Sequence, residues 1–443
     1  MMNLFTIAAQ GAQAAQNQLS VSAGNIANQQ TAGYSRQQIT QSASTVDSVG
    51  NGVRTSDPSR ITDQTLNQAL WRTQSSVGYY QSLNSWGTSL EKVISSSATQ
   101  PSTLLTSFFN SVSALTSQPD STAYRQQLIS SATSLANGLS QTSQNLADQQ
   151  TSIGQQQQST IQQVNQLSSQ IADLNQQIER LGTGAESNSL QDQRDQQVKT
   201  LSGLITVSVE KTDTGSYTLT TQGSTLVAGK QAAVISSSTD TQGNWQLQSR
   251  LGQASSTLST AIGGQLGALY DYQQQVLSPL QTQVTGLMQS VSEQINSTLA
   301  NGYDLQGEQG KALFTVSKDS AGVTRLATTT LTPAQLGLSL EQKTPANGDN
   351  LSALSGLQTT KDFKDQAAAI TSHLALANSQ SSNQLAVANA VTQQWQQQRD
   401  NLSAVNKDEE AVNLQTYLQS YQANMKVMSV GNQLFSELLT LFS

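Results

Sequence analysis

The chain has 443 residues with 21 Lys+Arg against 28 Asp+Glu, one His and no Cys, so its formal net charge of -7 comes from only 11% charged residues, where soluble chains ordinarily carry about 25%. Gln, Ser, Thr and Asn fill the gap, since hydrophobic residues make up 35% and mean hydropathy is -0.38. An acidic chain with no Lys/Arg block gives no footprint for nucleic acid, a Cys-free chain has no disulfide or thiolate site, and no apolar run nears the ~20 residues of a membrane span.

Met1 to Ser35 holds no charged side chain, and the first is Arg36. A secretory signal needs basic residues followed by an unbroken apolar core. Gln10, Gln13, Gln16 and Gln18 interrupt any such core, so no cleaved signal peptide is expected. Leu4, Ala8, Gly11, Ala15, Leu19, Ser22 and Ile26 recur after 11 residues, ~3.67 per turn, which describes a nearly straight helical stripe. Its small residues suit the close approach of a neighbouring helix and bury too little surface to be stable alone. Residues 1–60 therefore read as an inner helix followed by an extended segment.

Residues 61–202 read as the first part of a helical rod. Leu146, Ile153, Val164, Leu167, Ile171, Leu174, Ile178 and Leu181 form a coiled-coil seam, loosened by polar Gln150, Gln157 and Thr160 in its first half. Gly182 to Gly184 supply the helix stop. Asp192, Arg194 and Asp195 are a compact charged group, which helix capping and local ion pairing explain more simply than acid–base catalysis. From 203 to 257 the period changes. Ile205, Val207 and Val209 alternate, Thr212 to Gly215 offers a turn, and Tyr217 and Leu219 alternate again, which predicts a hairpin. Further strands are expected at Leu226-Val227, Val234-Ile235 and Trp245-Leu247, making this a small outer β-rich domain.

A helical pattern returns near Gly264 and runs through Val276, Leu280, Val284, Leu287, Val291 and Ile295. Residues 258–405 form the second part of the rod, with a short strand-and-loop stretch at 311–346. Gly302, Gly307 and Gly310 lack the strand-Gly-helix order of a phosphate cradle and read as a turn. The Gln-rich tracts at 155–158 and 393–398 read as solvated helix faces, and His373, in an Ala- and Leu-containing helix, as a structural histidine rather than a metal ligand. Lys407-Asp408-Glu409-Glu410 marks a helix start. Beyond it, over 406–443, Leu414, Tyr421, Met428, Phe435 and Phe442 fall seven residues apart, flanked by Leu418, Met425, Leu438 and Leu439. The fold class expected is mainly α with a β-rich insertion: terminal helices forming a coiled-coil-like inner domain, a long-helix bundle and a small outer β domain. Both termini carry apolar seams that one subunit would leave uncovered, so they are expected to order when neighbours cover them. The packing residues are Leu4, Ala8, Gly11, Ala15, Leu19, Ile26, Leu414, Tyr421, Met428, Phe435, Leu438 and Phe442. No catalytic, cofactor or metal site is expected.

The stretch from Asn25 to Gln37 resembles the N-terminal signature of bacterial flagellar axial proteins, through Asn25, Ala27, Asn28 and Thr31. Its Gly33-Tyr34-Ser35-Arg36-Gln37 ending is similar to the hook-associated protein 1 (FlgK) family. Pro119 to Arg125, Val164-Asn165, Ile171 to Asn175, Asn188 to Asp195, Gly302 to Gly307, Leu313-Phe314, Gly348 to Asn350, Asp408 to Leu414 and Tyr421 to Val427 continue the likeness in order. The resemblance implies a structural subunit of the hook–filament junction, outside the cell, exported through the flagellum's own type III channel. Its implied partners are the hook protein, a second hook-associated junction protein, copies of itself in a ring, and an export chaperone at the C-terminal helix. Two departures stand out: the chain is short for the family, implying a reduced outer domain, and Ala404 stands where Gly is common. The alternatives are a rod or hook subunit, which usually has Gly-Phe where this chain has Gly33-Tyr34, or an axial scaffold whose β domain binds a surface.

Overall fold

The computed structural model describes residues 2–46, 49–96, 98–239, 245–360 and 362–441. Its helices, in chain order, are α1 (Met2–Ala27), α2 (Gln64–Ile94), α3 (Pro101–Leu115), α4 (Thr122–Leu181), α5 (Ala185–Leu204), α6 (Gly264–Tyr272), α7 (Ser278–Ala300), α8 (Asn350–Thr360), α9 (Phe363–Ser403) and α10 (Lys407–Leu441). Strands are confined to short antiparallel sheets, so the fold is mainly α with a β insertion. The chain divides into two compact units, one made of residues 1–78, 161–264 and 387–443, the other of 79–160 and 265–386.

The unit of residues 79–160 and 265–386 is a helix bundle with a continuous apolar core. Pro101 opens α3, where a residue without an N–H leaves no bond unmade. Leu105, Phe108, Phe109, Val112 and Leu115 then follow at helical spacing and are buried. Phe108 meets Phe314 at 6.1 Å between ring centroids, and Phe109 stacks on Phe363 at 6.2 Å. On α7, Leu280, Val284, Leu287, Val291 and Ile295 are buried, as the expected pattern requires. A π-helical turn, Gln273–Leu277, joins α6 to α7. The stretch at 311–346 contains a hairpin in which Phe314–Lys318 pairs with Thr324–Thr328. Asn296 of α7 holds it: its Oδ1 accepts from Leu313 N and Phe314 N, and its Nδ2 donates to Phe314 O at 2.7 Å. Arg125 is fully buried and donates to the carbonyls of Pro119, Pro333 and Leu336. Burial without a paired carboxylate lowers its pKa to about 10.

In the other unit, Ser208–Lys211 pairs antiparallel with Tyr217–Thr221 around a turn in which Gly215 has φ +84°, the hairpin expected from the alternation. Ser224–Ala228 and Gln231–Ala232 complete a four-stranded sheet, and Val234–Thr239, Trp245–Leu251 and Ala254–Leu258 form a second, three-stranded one. All three further strand candidates lie in these sheets. After α1, the segment read as merely extended contains a hairpin, Gln41–Val46 with Val49–Thr55. Its Ser-, Thr- and Gly-rich strands lack the apolar alternation that would have signalled pairing.

The seam on α4 is corrected in its second half. Val164, Ile171 and Ile178 are buried, but Leu167 and Leu174 are half-buried and Leu181 is 42% exposed. The buried stripe instead repeats every 11 residues, through Thr142, Ile153, Val164 and Asn175, and through Leu146, Gln157 and Ser168. At Asn175, whose Oδ1 also accepts from Arg194 of α5, the stripe meets a sheet as well as a second helix. Its Nδ2 donates to Tyr217 O and Gly229 O, and its Oδ1 accepts from Tyr217 N, each at 2.9 Å. A Leu there would leave those strand-edge groups unpaired. Gln157, read within a solvated tract, is fully buried on the same stripe.

Candidate assembly interface

α1 and α10 lie against each other antiparallel. Phe5 meets Gly431, Gly11 meets Asn424, and Ser22 and Asn25 meet Glu410. A Cβ on Gly11 would stand 2.5 Å from Asn424 Oδ1, so the absence of a side chain sets how closely the helices approach. Ala8, Ala12 and Ala15 are buried in the same stripe, and on α10 Leu414, Tyr421 and Met428 are half-buried with Gly431 fully so.

The expected seam residues thus divide. Ala8 and Ala15 are buried; Gly11, Leu19, Ile26, Leu414, Tyr421, Met428 and Leu438 are half-buried; Leu4 and Phe435 are 47% and 50% exposed. Phe442 lies outside the described residues. The view that one subunit leaves both stripes uncovered is corrected in part: the two stripes pack on each other within the chain, with Leu4 and Phe435 left exposed at one end. What stays open on α10 are exposed apolar side chains on more than one side of the helix: Leu418 and Met425 beside the 414/421/428 stripe, Val427, Val430 and Leu434 opposite it, and Phe435 on the stripe's continuation. Large apolar side chains exposed at several points along one helix mark it as an interaction element.

The motif residues close one end of the helix pair. Asn28 Nδ2 donates back to Gly24 O as α1 ends, and its Oδ1 accepts from Thr31 Oγ1. Gly33 has φ +84°, and a side chain there would collide with Gln196. Tyr34 Oη donates to Asn25 Oδ1 at 2.9 Å, while Asn25 Nδ2 donates to Gln37 O and to Glu410 Oε1. Glu410 Oε2 accepts from Ser22 Oγ at 2.6 Å. Burial, followed by the nearby charges of Asp192 and Glu410, pushes the Tyr34 phenol up to about 12. Arg36 reaches Glu409 Oε2 at 2.7 Å, and its backbone N donates to Ser403 O. Ala27 is exposed and makes no such bond. The acidic run before the C-terminal seam therefore does more than start a helix: Asn406 Oδ1 accepts from Asp408 N, Glu409 pairs with Arg36, and Glu410 is buried.

Ser35 leads to a second polar cluster. Its N and Oγ donate to the Asp192 carboxylate at 3.1 and 2.7 Å. Arg60 Nη1 donates to Asp192 at 2.6 Å and both its terminal nitrogens reach Asp195 at 3.0 Å. Burial disfavours the charged guanidinium, but the Asp195 and Asp192 carboxylates outweigh it and hold Arg60 above its ordinary value. Tyr217 Oη donates to Asp195 Oδ1, and the Arg194 guanidinium stacks over the Tyr217 ring at 3.4 Å. Helix capping is therefore the wrong account of Asp192, Arg194 and Asp195. α5 begins at Ala185, and these side chains bind residues from the segment after α1 and from the β unit. Sequence separation hid this: Arg60 and Asp192 are 132 positions apart. The available signal was scarcity, because a chain with 11% charged residues that clusters three of them is placing them against partners.

Between α1, the motif loop and α5 lies an open groove of about 830 Å³ lined by Val21, Gly24, Asn28, Tyr34, Asp192 and Gln196. Among the described residues no group of three or more His, Asp or Glu is placed to hold a metal ion, and no helix is long and apolar enough to cross a membrane. His373, expected to be structural, is exposed on α9.

Residues 88–314 match the family model described as the flagellar hook-associated protein FlgK helical domain, and residues 396–441 match that of the C-terminal region of the flagellar basal body rod FlgEFG proteins. The chain is 28% identical to flagellar hook-associated protein 1 of Escherichia coli K12 over 555 aligned positions that span the whole of both chains. The alignment is longer than the 443 residues present, so the difference is gap in this chain. It is 29% identical to flagellar hook-associated protein 1 of Salmonella typhimurium LT2 over 339 positions, covering 71% of this chain and 60% of the relative. A solved structure of the flagellar hook junction protein FlgK from Burkholderia pseudomallei superposes with a TM-score of 0.52 at 27% identity, over 57% of this chain and 47% of that one.

Proposed function

The chain belongs to the flagellar hook-associated protein FlgK family, and from that premise we propose that it joins hook to filament by packing its terminal helices against neighbouring axial subunits. It is a flagellar structural protein of the hook–filament junction, as its relatives are named. The observation that carries the mechanism is the run of exposed apolar side chains along α10, from Leu418 to Phe435. At ~1.5 to 3 kcal/mol per large apolar side chain fully buried, those side chains would contribute substantially once a neighbour covers them. The match of residues 396–441 to the rod proteins' C-terminal region supports a helix of common axial design.

The partners in this reading are the hook protein, the second junction protein and further copies of the chain in a ring. An export chaperone would engage the same α10 side chains before assembly. The protein would work outside the cell, reached through the flagellar channel without a cleaved signal peptide, and by assembly, not catalysis. Division into inner helices (1–60 and 406–443), rod (61–202 and 258–405) and a reduced outer domain (203–257) belongs to the same proposal.

Electron microscopy of cells lacking this gene, with an assay for flagellin in the medium, tests it. Hooks without filaments and free flagellin outside are expected. Hookless cells would move the protein to rod or hook, and normal filaments would overturn the reading.

A further inference from the structure

α1 meets α10 with small residues, Ala8, Gly11, Ala12 and Ala15, while α10 answers with Leu414, Tyr421 and Met428 at seven-residue intervals. Sliding the pair by one heptad again sets a large α10 side chain against the small residues, so Leu414, Tyr421 and Met428 alone discriminate weakly between registers, while Gly11 opposite Asn424 and Phe5 opposite Gly431 favour the observed one. Two polar contacts do not repeat, the Arg36–Glu409 ion pair, whose carboxylate is exposed, and a buried cluster around Glu410. Glu410 is 4% exposed, and its two carboxylate oxygens are taken by Ser22 Oγ at 2.6 Å and Asn25 Nδ2 at 3.1 Å. Asn25 is itself fixed, because its Oδ1 accepts from Tyr34 Oη and Gln37 N. A slip by a heptad in either direction parts the carboxylate from both donors and leaves buried polar groups unpaired, which is costly.

We propose that Glu410, with Ser22 and Asn25, is the register lock of the terminal helix pair: it selects which heptad of α10 faces α1. It thereby fixes where the exposed apolar side chains of α10 stand relative to the loop of residues 28–37. Glu410 is a positioning residue, in the way that a single buried polar side chain fixes the register of a coiled coil. The consequence for assembly rests on the junction reading, but the lock itself does not.

Because the chain has no Cys, engineered pairs report register directly. Gly11→Cys with Asn424→Cys marks the observed register, and Gln18→Cys with Asn424→Cys marks a slip of one heptad. Intrachain disulfide yield is read by mass spectrometry on the purified full chain and on flagella sheared from cells. With Glu410 present, the first pair is expected to exceed the second by about tenfold or more, the cost of orphaning the carboxylate and its donors. Ser22→Ala and Glu410→Leu together remove one donor and the acceptor, while Asn25 keeps Tyr34 Oη, Gln37 N and Gln37 O as partners, so no buried polar group is stranded. In that background the ratio is expected to fall to within about threefold of one, as heptad packing alone dictates.

An unchanged ratio overturns the proposal. Loss of both cross-links overturns it as well, because the cluster would then be holding the helices together and not choosing their register. Collapse of the ratio in Gly431→Ala alone would transfer the role to the Phe5 contact. Should the parent chain be missing from flagella while the purified ratio behaves as expected, the junction reading fails and the lock stands.

Discussion

The helix bundle and the terminal pair solve the burial problem in opposite ways. In the bundle, Phe108, Leu115, Leu128, Leu135, Val284 and Phe363 are all fully buried, and the large side chains fill the space between α3, α4, α7 and α9. In the pair, the contact is made by Ala and Gly, and the large side chains of α10 at 418, 425, 434 and 435 face outwards, each at 42% exposure or more. A core of Phe and Leu finishes its packing inside one chain. A contact of small residues brings two backbones close and leaves the large side chains for other partners. The difference assigns stability to the first region and assembly to the second.

Substitutions should separate the two. Phe108→Ala, in the bundle, should cost about 3–5 kcal/mol, seen as a lower midpoint in denaturant; a loss under about 1 kcal/mol would mean the bundle tolerates cavities and the contrast is false. Asp192→Ala removes the carboxylate that Ser35 and Arg60 share and should cost roughly 3 kcal/mol, measured the same way. Arg60 keeps Asp195 after that change, so a double change with Asp195→Ala, which leaves the buried guanidinium unpaired, should cost more than the sum of the two singles. Tyr34→Phe should cost about 1 kcal/mol at neutral pH by freeing Asn25 Oδ1 of one donor. The phenol's raised pKa of about 12 means that the folded chain holds a proton which the unfolded chain, titrating near 10, gives up. That stabilising contribution is complete below pH 10 and is lost as pH climbs through 12. Tyr34→Phe should therefore flatten the fall in stability between those values; an unaltered slope would remove Tyr34 from the cluster.

The long helices were legible because their apolar residues recur at helical spacing, and the hairpin around Gly215 because Val209 and Leu219 alternate about a turn. Where side chains are too polar or too small to carry a period, the sequence was silent. The hairpin of Gln41–Val46 and Val49–Thr55 reads as an extended segment for that reason. Leu167 and Leu174 looked like the seam because they are apolar, but Ser168 and Asn175 hold the buried positions, since the strand edge at Tyr217 needs an amide. At the interface, the seven-residue spacing located α10, whereas the pairing of its stripe with α1 and the exposed apolar side chains beyond that pairing required coordinates. Glu410 was read as part of a helix start, and its two donors lie nearly the length of the chain away.

Phe435→Asp tests the central claim most directly. Phe435 is half-exposed on α10, so the change should alter stability of the purified chain by no more than about 0.5 kcal/mol. In cells lacking the native gene, the same variant should be absent from sheared flagella on immunoblots, with filaments missing and flagellin released into the medium. Incorporation at the level of the unaltered chain, with normal filaments, would contradict the account, because the exposed apolar side chain at 435 of α10 would then have no partner at the junction.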